Sequence, residues 1–158
     1  MNQESTESIL IKGLMVMMCT LTLSLGLHYT YSSGMGWSAN LLLFPWCHAN
    51  FFHWAGNMTV ATLCIQYSPR RFLFALVLAL ACACACLTPT EGLSGLLFAY
   101  IGQWYGEKRK NDDMCIVSVF ALVTGLLPHV ALYYHLLTLV SGYAVGLVYN
   151  AAVACRRK

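Results

Sequence analysis

Three short patterns hold the residue types able to do chemistry: His48-x4-His53-x3-Asn57, Gly92-x-Ser94-Gly95, and His135 followed by Thr138, Gly142 and Gly146. A serine hydroxyl is a weak nucleophile until a base takes its proton. His135 can take that proton from Ser94 and later return it to a leaving amine. A tetrahedral oxyanion then needs donors, and the Ser94 backbone N–H with the side chains of His53 and Asn57 can supply them. Glycine at 92 and 95 permits a tight backbone beside the nucleophile. Segment 131–154 has no Asp or Glu to orient the imidazole, whereas Phe98, four residues after Ser94, can stack against it. The pattern therefore points to acyl transfer by a Ser94–His135 dyad, with no metal and no organic cofactor.

Taken singly, each pattern has a plainer reading. Gly-x-Ser-Gly packs helices, and a histidine in an apolar segment is commonly a satisfied interhelical donor. His-x4-His-x3-Asn alone is a polar packing cluster or a weak metal site. The specific signal is their joint occurrence, in this order, near the same end of predicted helices.

The elements that must position these residues follow from composition. Of 158 residues, 59% are hydrophobic and only 9% charged, against about 25% charged in a typical soluble domain. The apolar residues lie in long runs, not in amphipathic stripes, which reads as an integral membrane domain. Spans are expected near 9–28, 49–67, 72–88, 93–106, 114–128 and 131–154, giving an all-α bundle of six transmembrane helices in a single domain over 1–158. The fourth and fifth are short, which enclosing helices or an adapting bilayer can tolerate. With this division all nine basic residues, from Lys12 to Lys158, fall on one side, and 29–48, 87–92 and 128–131 carry none. The positive-inside rule then puts both termini in the cytoplasm. The net charge of +3 reflects these flanks and gives no reason to expect nucleic acid as a partner. The first run follows Glu4 and Glu7 instead of a basic segment, so it reads as a retained span and not as a signal peptide.

Spans two, four and six then run inward from the outer side, bringing the polar residues to similar depth, where a water-accessible cavity could reach Ser94. His53 and Asn57, four apart, share a helix face. His48 lies about 140° around the same helix and is expected to face elsewhere, holding the start of the span through backbone contacts. His135, Thr138, Gly142 and Gly146 form one stripe, and small residues there let another helix approach closely. Gly95 and Gly102 offer the matching surface on span four, which would bring Ser94 and His135 within hydrogen-bond reach. Most of the eight cysteines fall inside spans. In Cys82-Ala-Cys84-Ala-Cys86, helical geometry puts Cys82 and Cys86 on one face and Cys84 on another, which suits packing better than metal binding.

On these residues the chain resembles the rhomboid intramembrane serine proteases in their compact bacterial form, from about Phe44 to Gly146. His48-Ala-Asn-Phe-Phe-His53-Trp-Ala-Gly-Asn57 looks like the family's second-helix motif. Gly92-Leu-Ser94-Gly95-Leu-Leu-Phe98 looks like the fourth-helix motif, and His135-Leu-Leu-Thr138-Leu-Val-Ser-Gly142 like the sixth. The resemblance implies Ser94 as nucleophile, His135 as base, His53 and Asn57 lining the oxyanion hole with Ser94, and His48 supporting them. Three departures stand out: Thr138 where the family usually has Gly, Phe98 where Tyr is common, and no Trp-Arg pair in the first outer loop. His129 has no place in the motif; it reads as a loop residue and as a fallback base. Substrates would be single-span membrane proteins cut toward the outer part of their helix, where the backbone must unwind to expose a scissile carbonyl. The implied location is a bacterial cytoplasmic membrane, in contact with its lipid bilayer, with the site opening outward. The competing reading is a non-catalytic rhomboid-like protein that binds membrane helices, but such relatives lose the Ser or the His. A channel would need polar groups through the inner half, and few are present.

Overall fold

Capping residues, more than apolar runs, decide where the helices begin. A computed structural model describes residues 11–16, 18, 26, 28–107, 115, 116, 118, 119 and 131–156. Asn50 is extended, and its side chain accepts the His53 amide, so the helix starts at Phe51; an Asn cap satisfies one of the amides that a helix start leaves unpaired. Ser68 closes that helix through its own amide to the Cys64 carbonyl and opens the next by accepting from Arg71, with Pro69 in the first turn. Proline is tolerated there because its missing N–H would have no intrahelical acceptor.

In chain order the described elements are two 3-10 turns, Ser33–Met35 and Phe44–Trp46, and helices α1 (Ala39–Leu43), α2 (Phe51–Tyr67), α3 (Pro69–Ala83), α4 (Ser94–Gly106) and α5 (Leu132–Arg156). Residues 11–16 are also helical. α4 is the centre: Gly95 through Trp104 are all buried, and the helix packs against α5, α3 and α2. Its apolar neighbours include Val60, Ala61, Cys64 and Ile65 of α2 and Phe72, Ala75 and Ala79 of α3. A second cluster joins Tyr31, Leu41 and Phe44 to Cys82, Cys86 and Tyr134. Between α3 and α4 the chain has no helix and is pinned to the segment that runs from Tyr31 to Phe44. Tyr31 and Thr90 exchange backbone hydrogen bonds of 2.9 Å each, Ser33 donates to the Cys86 carbonyl at 2.7 Å, and Gly92 donates to the Phe44 carbonyl at 2.8 Å.

The expected bundle of six transmembrane helices is not what the described residues form. They are largely helical, but one helix alone, α5 at 25 residues, is long and apolar enough to cross a membrane. α2, α3 and α4 have 17, 15 and 13 residues. At about 1.5 Å per residue they reach roughly 26, 23 and 20 Å, short of a hydrocarbon core of about 30 Å. Caps and turns cut the apolar runs: the expected span 72–88 ends as a helix at Ala83, followed by a turn at Cys84. The helical argument for the cysteines stops at Ala83, because Cys84 and Cys86 lie beyond the helix, but Cys82 and Cys86 still pack in one apolar cluster. Cys82 is buried with its thiol 3.6 Å from the Ser141 hydroxyl, Cys86 is buried with its thiol on the Thr88 carbonyl, and Cys84 is exposed. The expected spans 9–28 and 114–128 lie mostly outside the described residues, and His129 wholly so.

Candidate active site

α4 and α5 run side by side in the same direction along a seam of bare backbone. A Cβ on Gly142 would overlap the Ala99 carbonyl, and one on Gly146 the Gln103 carbonyl. From the other side, a Cβ on Gly102 would overlap the Leu139 carbonyl, and one on Gly106 that of Tyr143. Small residues are therefore required at these positions by contact. Toward the site Gly95 faces the ring of Tyr134, whose hydroxyl donates to the Ala79 carbonyl at 3.1 Å and ties α5 to α3. Thr138, fully buried, donates its hydroxyl back to the carbonyls of Tyr134 and His135 at 3.0 and 2.9 Å. Its polar group is thus satisfied within α5, and the seam closes around it.

This packing brings Ser94 and His135 together: Ser94 Oγ lies 2.7 Å from His135 Nε2. The Phe98 ring stacks on the imidazole at 4.5 Å between centroids and 9° between planes. His135 is buried at 3% exposure, and its Nδ1 meets no hydrogen-bond partner among the described residues. The imidazole is held by an aromatic face on one side and a serine at its edge, with no carboxylate behind it among the described residues. Ser94 opens α4, so its amide is one of those that a helix leaves without an intrahelical acceptor.

The second-helix residues arrive over the same loop. Gly92 has φ +93°, a conformation that L side chains rarely adopt, and a Cβ there would come within 2.8 Å of His53 Cε1 and 3.4 Å of Asn57 Nδ2. Glycine is needed here both for the turn and for room. Gly92 thus lies against both side chains, two residues before the nucleophile. Asn57 is buried, and its Nδ2 has no hydrogen-bond partner among the described residues. A buried amide donor left unpaired is uncommon in a folded protein and suits a site where negative charge develops during reaction.

No protein-family model, curated protein or solved structure matches this chain. The site therefore rests on its own geometry.

His48 departs from the expectation that it faces away from His53. It precedes α2 and does not belong to it, so helical angles do not apply. Its ring meets that of His53 edge to face at 5.2 Å. The Trp46 carbonyl lies 3.1 Å from Nδ1; a carbonyl only accepts, so Nδ1 carries the hydrogen. Burial, with a smaller push from neighbouring His53 and a partial offset from the Trp46 carbonyl, lowers the His48 pKa to about 4. The residue is neutral at ordinary pH. Among the described residues no group of three or more His, Cys, Asp or Glu side chains is arranged to hold a metal ion.

Four positioning residues were not singled out from sequence. Asn50 was legible as an Asn directly before an apolar run, the usual start signal of a helix. Gly106 was legible as the small residue four after Gly102. Tyr134 and the Phe44 carbonyl leave no local signal, because their roles depend on which helices meet.

Proposed function

We propose that this chain is a serine endopeptidase of the rhomboid type, cutting transmembrane segments of single-span membrane proteins with a Ser94–His135 dyad. The observation that carries the reading is the 2.7 Å contact between Ser94 Oγ and His135 Nε2 beneath the stacked Phe98 ring. Ser94 Oγ attacks the scissile carbonyl while His135 Nε2 takes its proton. The developing oxyanion is met by Asn57 Nδ2, with His53 and the Ser94 amide beside it. His135 then delivers the proton to the leaving amine, and a water activated by the same imidazole releases the acyl group from Ser94. Phe98 holds the ring plane that a carboxylate holds in a triad.

Membrane action is supported by α5 and by large apolar side chains exposed beside the site's loops, among them Trp37, Leu42, Phe51 and Phe52. Aromatic rings favour the headgroup level of a bilayer. The proposal places the protein in a membrane through α5, with the dyad opening outward.

The deciding experiment is cleavage of a tagged single-span substrate by the purified chain in proteoliposomes, beside Ser94→Ala and His135→Ala. Cleavage by the parent, lost in both variants, supports the dyad. Equal cleavage by all three removes it. Silence in this assay, together with failure of a fluorophosphonate to label Ser94, would leave a helix-binding protein.

A further inference from the structure

Among the described residues the site's end of the molecule carries one carboxylate, and the acyl-transfer chemistry above does not use it. Glu91 is the single acidic residue between positions 8 and 106, and no Lys or Arg occurs in 29–69 or 72–107. It precedes Gly92, which lies against His53 and Asn57, and stands three residues before Ser94. The chain at this point is held firmly. The hydrogen-bonded pair Tyr31 and Thr90 fixes one side of Glu91, and the bond from Gly92 to the Phe44 carbonyl fixes the other. Three residues span at most about 11 Å of extended chain, so the Glu91 backbone is within a few substrate residues of the nucleophile.

Glu91 is half-buried. Burial raises its carboxyl pKa, and nearby His28 lowers it in part. Its charge also reaches the Cys47 thiol, beside His48. No described Lys or Arg forms an ion pair with it. The contrast is Glu107, whose carboxylate meets Arg71 at 2.8 Å. A partly desolvated carboxylate with only a nearby histidine, and no described Lys or Arg, to offset its charge gains from a cation that arrives with a ligand.

We infer that Glu91 is a specificity-determining residue, favouring substrates with a Lys or Arg side chain close to the scissile bond and disfavouring Asp or Glu there. The inference rests on the serine-hydrolase reading of Ser94. Glu91 takes no part in bond making; it biases which acyl group reaches the serine.

The test reads the labelling rate of Ser94 by two fluorophosphonate probes, identical but for a cationic or an anionic side arm, followed by mass spectrometry of the labelled peptide. The parent, Glu91→Gln and Glu91→Lys are compared in the same detergent, with Ser94→Ala as the blank. The cationic-to-anionic rate ratio is the readout, so any change in intrinsic Ser94 reactivity cancels. Expected is a ratio of about 5 to 10 in the parent, near one in Glu91→Gln, and below one in Glu91→Lys, with the spread shrinking as salt screens the charge. A ratio unchanged across the three proteins overturns the inference and leaves the hydrolase standing. Labelling of Ser94 by neither probe overturns both.

Discussion

The two ends of α4 solve opposite problems with the same neighbours. At the Glu107 end Arg71 meets Glu107 at 2.8 Å, the guanidinium lies 5.7 Å over the Tyr149 ring, and Tyr67 packs on Trp104 at 5.3 Å. α2, α3, α4 and α5 are clasped there by groups that complement one another. At the Ser94 end Asn57 Nδ2, His48 Nε2 and His135 Nδ1 cluster around the dyad, buried with no hydrogen-bond partner among the described residues, a state that Gln103 Nε2 shares near the Glu107 end. Unpaired buried polar groups destabilise a fold, and they tend to persist where a site needs them free. One end of the helix holds the bundle together; the other is kept ready for a visitor.

The sharpest break is at the dyad. Ser94→Ala and His135→Ala should each lower cleavage by at least about a thousandfold, with thermal unfolding unchanged or raised. A parallel fall in stability would make these residues structural instead. Asn57→Ala comes next, with an expected loss of about a hundredfold in kcat at little change in KM. If KM rises and kcat holds, Asn57 binds substrate and the oxyanion donor must be sought elsewhere. At the far end of α4 Glu107→Gln should do the reverse, lowering the unfolding midpoint by the equivalent of about 1 to 3 kcal/mol while kcat stays within about twofold. A large fall in kcat would show that the clasp reaches the site.

The smallest effect is acid sensitivity through His48. Its folded pKa is lowered from 6.5 to about 4, so below pH 6.5 the unfolded chain binds a proton that the folded chain refuses. Stability contributed by neutral His48 is complete above that pH and is lost as pH falls toward 4. Unfolding midpoints measured across this range should slope downward with acid in the parent and less so in His48→Gln. Equal slopes would mean that His48 is more accessible than its packing implies.

Much of the Ser94 end was legible because its residues report directly on chemistry and spacing. Ser94, Phe98, His135 and the glycine stripe lie on continuous helix, where three- and four-residue steps predict shared faces. His48 was misread for the opposite reason: the angle argument assumed a helix that Asn50 does not let begin until Phe51. The six-helix membrane bundle failed differently. The expected bounds 49–67 and 93–106 already stop at Ser68 and the Gly92 loop, and the Cys84 turn shortens 72–88; what hydropathy passed over is length, since the resulting helices have only 13 to 17 residues. The Arg71–Glu107 clasp left no local trace, since its partners lie 36 residues apart.

Thr138 gains a meaning from the seam it interrupts. The glycines on both helices repeat every four residues, close to one turn, so two such backbones could ratchet past each other and find glycine under carbonyl again. Sliding α5 one turn toward Glu107 would set Thr138 where Gly142 now rests, on the Ala99 carbonyl, and its Cβ has no room there. Sliding it one turn the other way would set Asn150 in the seat of Gly146, on the Gln103 carbonyl, with the same result. The two side chains act as end stops on a notched rail. They leave one notch, the one in which the imidazole stands opposite the serine.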